Sequence, residues 1–406
     1  MNCNDAACPA GNRPLRYVLT IARAALLFGA AVLVVSGSAG AQTVCPVAPI
    51  ASGLQSPLSV VQSAQGNLLV AESGDRPPNT GRISIVDLAG NRRTLVNGLP
   101  SGINDVGEPS GPAGLALRGR TLFALIGVGD AILNGPVQGT FIANPHPSSS
   151  LLSSVLAIHL SAHVEQTTGG FTLSVGDQQT LAAGGRVTLS NDGGDDITIE
   201  LVANFPDYTL EPLASVPDNV RGSNPFALVA VGNQLYVTDG AQNELRQVDI
   251  PSGSISSVAS FSTVPNPLPI GPPLVEAVPT GIAYADGRLL VTLFSGVPFA
   301  PGTSSVVQVE LSAGSESSFI TGLTTAIGIL PLRDRHANSY LVLQTSSGPG
   351  PFFSGPGVLF RTDASGIPQS VIADCLQAPT SMVFDEKTRT LFVTDLTGAI
   401  VAIAID

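Results

Sequence analysis

Acidic and amide side chains recur at the ends of short apolar runs, and they are the residues best suited to bind a cation or a polar ligand. Glu72, Asp239 and Asp395 occupy equivalent points of a repeated phrase, so we predict them as metal ligands. Predicted ligand-binding residues lie in nearby turns: Asp75, Asn104, Asp105, Glu108, Asp130, Asn224 and Glu276. Calcium takes roughly six to eight oxygen ligands, so such groups predict a calcium site if they converge. The alternative is that they are solvated turn residues that accept local backbone hydrogen bonds.

The four histidines do not form a zinc motif. His159 and His163 are four residues apart, but the residues before His163 predict a strand. At about 3.3 Å per residue, the two side chains would be too far apart to share one zinc ion. We interpret the histidines as surface or loop residues; His146, in a long loop, is the one that can reach a shared site.

Other catalytic patterns are weak or missing in the sequence. The turn at 191–196 is rich in Asn, Asp and Gly but lacks the spacing and closing Glu of an EF-hand, so we interpret it as a hairpin turn. The Gly- and Pro-rich stretch 346–357 has no Lys for a phosphate loop, and no G-x-S-x-G elbow occurs. Whether the chain is an enzyme is therefore left open.

The elements that position these residues form a repeat. Its cleanest copy, Pro279–Thr292, is two β-rich runs joined by an Asp286-Gly287 turn, which is a hairpin signal. Equivalent positions are 55, 54, 47 and 53 residues apart, starting from Pro57, Pro225, Pro279 and Ala326 in turn. Four strands at this period are typical of a β-propeller blade.

We therefore predict an all-β fold, a six-bladed β-propeller with four-stranded blades. The gap from Pro112 to Pro225 is 113 residues, about twice the period, so the second blade is expected to carry an insertion at about 161–196 that forms its own hairpin. A degenerate seventh blade is the alternative. The last unit has three strands, and residues 50–57 match residues 372–379, so an N-terminal strand is predicted to close the last blade. Such closure removes free sheet edges.

The N-terminus has the order of a secretory signal. Arg13, Arg16 and Arg23 precede an apolar run that is followed by small residues, with cleavage expected between Ala41 and Gln42. We thus predict a signal peptide over 1–41, one propeller domain over 42–406, and a secreted or periplasmic protein without a membrane span after cleavage. An uncleaved anchor is the less favoured alternative.

Charge and cysteine content narrow the partners. The chain has a net charge of −12; removing Arg13, Arg16, Arg23 and Asp5 leaves 15 basic and 29 acidic residues. A nucleic-acid partner is excluded because it requires a basic face. Cleavage would leave Cys45 and Cys375, and exported pairs favour a disulfide. The repeat register places them on adjacent blades and opposite faces, beyond the roughly 7 Å Cα limit, so their bond is left open.

Several phrases carry a resemblance to a known family. Residues 66–72, 223–228 and 278–282 resemble the ScyD/ScyE family of exported propellers related to NHL-repeat proteins, and Val297–Gly302 is the most specific element. The resemblance covers about 43–406 and implies the propeller fold. It implies no activity and no catalytic residues.

The sequence favours a secreted scaffold that binds a protein, glycan or small-molecule ligand and is expected to be monomeric. The alternative is a calcium-dependent hydrolase or lyase that uses the mouth of the central channel. No cofactor is certain; calcium is the candidate.

Overall fold

A computed structural model describes residues 48–167, 169–311, 314–333 and 338–405. The first strands of six antiparallel sheets contact one another in sequence, and the last contacts the first, so the sheets form a closed ring of six blades. The predicted six-bladed β-propeller is therefore confirmed.

The strands alternate through each blade from the channel outward. Blades 1 to 3 comprise Pro57–Gln62, Leu68–Glu72, Gly81–Val86 and Arg92–Leu99; then Pro112–Arg118, Thr121–Ile126, Ser154–Leu160 and Asp196–Asn204; then Pro225–Val231, Gln234–Asp239, Glu244–Asp249 and Ile255–Ser260. Blades 4 to 6 comprise Ala277–Ala285, Arg288–Ser295, Ser304–Glu310 and Glu316–Leu323; then Ala326–Arg333, Asn338–Gln344, Gly357–Asp363 and Pro368–Leu376; then Pro379–Asp385, Thr390–Asp395, Ile400–Ala404 and Ala48–Ala51.

The N-terminal strand closes the last blade, as predicted. Ala48–Ala51 pairs antiparallel with Ile400–Ala404, with Ala48 opposite Ala402. The amide of Leu54 donates to the carbonyl of Gly398 at 3.0 Å, and Leu54 is buried. The two ends of the described chain are thus joined in one sheet.

Hydroxyl groups join neighbouring blades around the channel. At five of the six interfaces in the described residues, a side-chain hydroxyl donates to a first-strand carbonyl of the next blade, at 2.7–3.2 Å. These donors are Ser73, Thr238, Thr280, Thr345 and Thr380. Because the groups are buried, each bond satisfies a carbonyl that the sheet ladder leaves free.

The glycine of the Pro-x-Gly phrase allows first strands to approach closely. A Cβ at Gly281 would lie 2.5 Å from the carbonyl oxygen of Ile327, and one at Gly114 would lie 2.9 Å from that of Phe226. Any side chain at these positions would push adjacent blades apart. Apolar side chains pack between the blades behind these contacts; between blades 2 and 3 they include Phe123, Leu125, Leu235 and Val237.

The segment between the third and fourth strands of blade 2 does not form a separate hairpin. Asp196–Asn204 is the fourth strand of the blade, and Arg186–Ser190 pairs with its outer side as a fifth strand. Ile197 and Ile199 are buried, which explains why this run joins the blade core. The segment also contains Phe171–Thr172, which pairs parallel with the outer strand of blade 1, and an α-helix, Val175–Ala182.

Four short hairpins lie outside the blades. They are Gly102–Ile103 with Pro109–Ser110, Ile132–Asn134 with Phe141–Ala143, Tyr208–Leu210 with Val220–Gly222, and Val264–Pro265 with Leu274–Val275. All four emerge from blades 1 to 3 or from the connections that follow them. They make the two halves of the ring unequal.

Cys375 is disulfide-bonded, so the register argument against a bond at this residue is wrong. Its partner lies outside the described residues, as does the predicted signal peptide over 1–41. In the described ranges, no helix is long and apolar enough to cross a membrane.

Candidate functional site

One end of the propeller collects the long loops. The loops between second and third strands and the connections between blades leave the sheets at the same end, because neighbouring strands are antiparallel. We call this end the top face. It comprises residues 52–56, 73–80, 100–111, 127–153, 205–224, 240–243, 261–276, 296–303, 324–325, 345–356, 377–378 and 396–399. All ten predicted site residues lie in these segments or at the strand ends beside them.

The central channel is apolar. Its cavity of about 310 Å³ is lined by the first strands of all six blades, including Val60, Leu228, Ile282 and Met382. Tyr284 is the one ionisable group among the described residues of this wall. The channel wall therefore offers backbone, hydroxyl and apolar contacts, and no carboxylate for a cation.

Glu72 is committed to its own blade. Its side chain is fully buried, and Oε2 accepts hydrogen bonds from the amide of Gln55 at 2.5 Å and from the guanidinium of Arg82 at 2.8 Å. Oε1 accepts from the hydroxyl of Ser84. Both oxygens thus hold the start of the second-to-third strand loop and the connection from blade 6.

Asp239 serves its blade in the same way. Its carboxylate accepts from the hydroxyl of Ser223 at 2.5 Å and from the amides of Asn224 at 2.8 Å and Gln242 at 3.1 Å, and Arg246 lies 3.4 Å away. The side chain is fully buried.

At the equivalent point of blade 6, Asp395 Oδ1 accepts from the Thr397 amide at 2.8 Å, its hydroxyl at 2.5 Å and the Ala399 amide at 3.1 Å. These two carboxylates and Glu72 therefore organise three separate blades. In the described part of the chain, no three His, Cys, Asp or Glu side chains are grouped so that they could hold a metal ion.

A pair of carboxylates on the top of blade 2 was only half predicted. Asp130 Oδ1 accepts from the amide and hydroxyl of Ser148 at 2.9 and 2.7 Å. Asp207, which the sequence analysis missed, lies close enough for the Asp130 charge to act on it. Burial raises the pKa of Asp207, the Ser153 hydroxyl opposes that rise, and Asp130 adds to it. The connection 205–224 carried no repeat signal, so nothing in the sequence marked Asp207.

The turn of the first short hairpin holds Asn104, Asp105 and Glu108. Asn104 Oδ1 accepts from the amides of Val106 and Glu108 at 3.0 and 3.1 Å, so it shapes the turn. Burial raises the pKa of Asp105 to about 6. One carboxylate oxygen of Asp105 is buried and has no hydrogen-bond partner among the described residues. A carboxyl group with this pKa can hold or release a proton near neutral pH.

The remaining predicted residues occupy unlike environments. Asp75 is exposed, and its Oδ1 accepts from the amide of Arg76 at 2.8 Å. Glu276 is buried, pairs with Arg221 at 3.4 Å, and accepts from Asn243 Nδ2. Asn224 is buried between Asp239 and the next blade. His146 is exposed in the loop 127–153, and its amide donates to Asn144.

Large exposed apolar side chains concentrate on the top face. The structure has thirteen among its described residues, and eight lie in the top-face segments, which make up less than a third of the chain. These eight are Val106, Leu133, Val137, Tyr208, Leu210, Ile270, Leu274 and Phe352. We call them the apolar tips. Ordinary surface residues are scattered, so this concentration indicates a contact surface.

Two loops of blades 4 and 5 support the most aromatic of these tips. Phe299 and Phe353 have ring centroids 4.3 Å apart, and Phe294 packs against both. The amide of Phe352 donates to the carbonyl of Pro298 at 3.0 Å, while its side chain is 57% exposed. Phe352 is thus held outward on a packed base. The sequence signal was a Phe-Phe pair inside the Gly- and Pro-rich stretch 346–357.

Comparisons with known proteins show similarity of fold alone. No family model matches the chain, and no curated protein sequence matches it. Its resemblance to the ScyD/ScyE family therefore stays a prediction.

Among solved structures, a PQQ-bound aldose sugar dehydrogenase from Streptomyces coelicolor is 13% identical, with 89% of this chain and 98% of that chain covered and a TM-score of 0.48. A gluconolactonase from Xanthomonas campestris is 11% identical, with 88% of each covered and a TM-score of 0.45. A chain of a nidogen–laminin complex is 12% identical, with 81% and 92% covered and a TM-score of 0.40. At these values we draw no functional inference from them.

Proposed function

We propose that this protein is an exported binding scaffold of the ScyD/ScyE kind, and that its top face docks a protein partner. The observation that carries the proposal is the concentration of apolar tips on that face. Protein interfaces use exposed apolar and aromatic side chains that are held in place before binding, as Phe352 is.

Charge defines the partner further. The top-face segments contain eight carboxylates (Asp75, Asp105, Glu108, Asp130, Asp207, Glu211, Asp218 and Glu276) and two guanidinium groups (Arg76 and Arg221). A partner with a basic rim around an apolar centre complements this surface and is steered to it. A glycan or a small molecule is the other kind of ligand that such a scaffold can take.

Site-specific photo-crosslinking tests this proposal. A photoreactive residue replaces Leu210 or Phe352 on the top face, and Leu88 or Ile367 in matched control variants. Both controls are exposed apolar residues in hairpins at the opposite end of the blades. The variants are expressed in the source cells, and adducts are identified by mass spectrometry. We expect a protein adduct from the top positions only. Equal labelling from both ends, or a glycan adduct alone, would contradict docking of a protein there.

The same preparation tests export. N-terminal sequencing is expected to begin at Gln42 in the extracytoplasmic fraction. A chain that keeps residues 1–41 would contradict cleavage.

A calcium-dependent hydrolase or lyase is the second proposal, supported by the proximity of Asp130 and Asp207. Thermal melts with calcium and with a chelator separate the two. A calcium shift that Asp130→Asn removes would favour the enzyme; identical melts would count against it.

A further inference from the structure

A second cavity lies between blades 2 and 3, away from the top face. Its volume is about 600 Å³, within the range of small-molecule sites. The first hairpin of blade 2 and the last hairpin of blade 3 form two walls, with Arg118 and Thr121 on one and Ile250–Gly253 on the other. Both hairpins lie at the end of the blades opposite the top face.

A hydrogen-bonded array lines one side of this cavity. Thr121 and His159 are directly opposite on paired strands, and Thr121 Oγ1 lies 3.1 Å from His159 Nδ1. His159 Nε2 lies 2.9 Å from Glu200 Oε1. Arg186, opposite Glu200 on the fifth strand, contacts Oε2 at 2.6 Å. The contacts with His159 and Arg186 both lower the pKa of Glu200, whereas burial opposes them.

Charge in the cavity runs against the charge of the whole chain. Arg118 and Arg186 contribute two fixed positive charges, and Glu200 contributes one negative charge. His159 adds a further positive charge when protonated. The net charge here is positive, although the chain carries −12 overall. The His159 side chain is 42% exposed and that of Arg186 is 72% exposed, so a ligand can reach both.

The rest of the lining is apolar. Phe123 and Ala157 form a buried floor that continues into the core between the two blades. Ile250 and Pro251 face them from blade 3. A ligand that fills the cavity therefore meets cations at its rim and hydrocarbon at its base.

We propose that this cavity binds a small organic anion, whose carboxylate or phosphate group contacts Arg118 and Arg186 and whose apolar body contacts Phe123. Guanidinium groups suit such oxyanions because their planar N–H donors match two oxygens at once. Arg118 donates one N–H to the carbonyl of Gly232, which fixes its position at the rim. The site is independent of docking at the top face.

Ligand-observed NMR on the full-length mature protein tests the proposal, with benzoate and phenyl phosphate as anionic probes and benzyl alcohol as the neutral match. Both anions are expected to bind at millimolar or lower concentration and the alcohol at least ten-fold more weakly. The double variant Arg118→Gln/Arg186→Gln is expected to weaken the anions at least ten-fold. The control Arg76→Gln, an exposed arginine in a top-face loop, is expected to leave binding unchanged.

Two further results bear on the outcome. Thermal melts of each variant establish that the ring is intact, and Arg186→Gln alone serves if the double variant does not fold, because Arg186 is largely exposed. Equal binding of benzyl alcohol, no binding of either anion, or an equal loss in Arg76→Gln would overturn the proposal. Preference for phenyl phosphate or for benzoate would identify which oxyanion the site takes.

Discussion

Glu72 and Arg82 are directly opposite each other on the second and third strands of blade 1, and their charged groups are 2.8 Å apart. The Glu72 side chain is fully buried, whereas that of Arg82 is 18% exposed. This carboxylate, predicted as a metal ligand, therefore has a second role that mutation can separate from metal binding.

Replacing Glu72 with Gln is expected to lower the free energy of unfolding by about 2 kcal/mol, because Arg82 then loses its counter-charge in a partly buried site. Urea denaturation measures the loss. Asp75→Asn, the same charge change at an exposed residue of the adjacent loop, is expected to cost less than about 0.5 kcal/mol. Normal stability in the Glu72 variant, together with loss of a calcium shift, would instead assign it to a metal site.

The closing strand gives a second prediction. A chain that begins at Leu54 is expected to be about 3 kcal/mol less stable than one that begins at Ala48, because it loses the pairing with Ile400–Ala404 and the burial of Ala51. It is also expected to self-associate through the exposed edge. Urea denaturation and light scattering measure these effects. Both chains lack Cys45, so a disulfide does not enter the comparison; equal stability would show that the strand is dispensable.

Asp105 gives a pH-dependent prediction. Its pKa in the folded chain, about 6, is above its ordinary value because burial disfavours the charged form. The neutral group is tolerated below pH 4, and stability falls as pH rises from about 4 to 6. This contribution is at most about 2–3 kcal/mol.

Comparing wild type with Asp105→Asn at pH 4 and pH 7 isolates it. The variant is expected to gain stability relative to wild type at the higher pH, as measured by urea denaturation. Asp87, whose pKa is lowered by hydrogen bonds from Asn91, is the matched control, and Asp87→Asn should show the opposite sign. A pH-independent difference for Asp105→Asn would contradict the raised pKa.

The disulfide at Cys375 gives the last prediction. If residues 1–41 are removed, Cys45 is the one other cysteine in the mature chain, so peptide mapping without reduction is expected to show Cys45 linked to Cys375. Cys375→Ser is expected to melt like reduced wild type and below oxidised wild type, because the bond restricts the unfolded chain. Free thiols at both residues in the secreted protein would contradict it.

Much of the ring could be predicted from the sequence because each blade repeats local signals. The turn at Asp286-Gly287 and the glycine at Gly281 both report on backbone geometry within a few residues. The fourth strand of blade 2 was assigned to a separate hairpin, because its membership depends on Ile199 packing into a core built by distant residues. Similarly, the position of Asp207 beside Asp130 depends on how two irregular loops fold over one blade, and no local pattern encodes that.

The pairing of Ala48–Ala51 with Ile400–Ala404 also sets an order of events during synthesis. Ala51 leaves the ribosome 349 residues before Ile400. At ordinary elongation rates this is a delay of about 20 to 70 s, during which the first strand has no partner. The final sheet cannot assemble until translation is nearly finished, so a chain in transit stays open and can be threaded through a narrow pore before it locks.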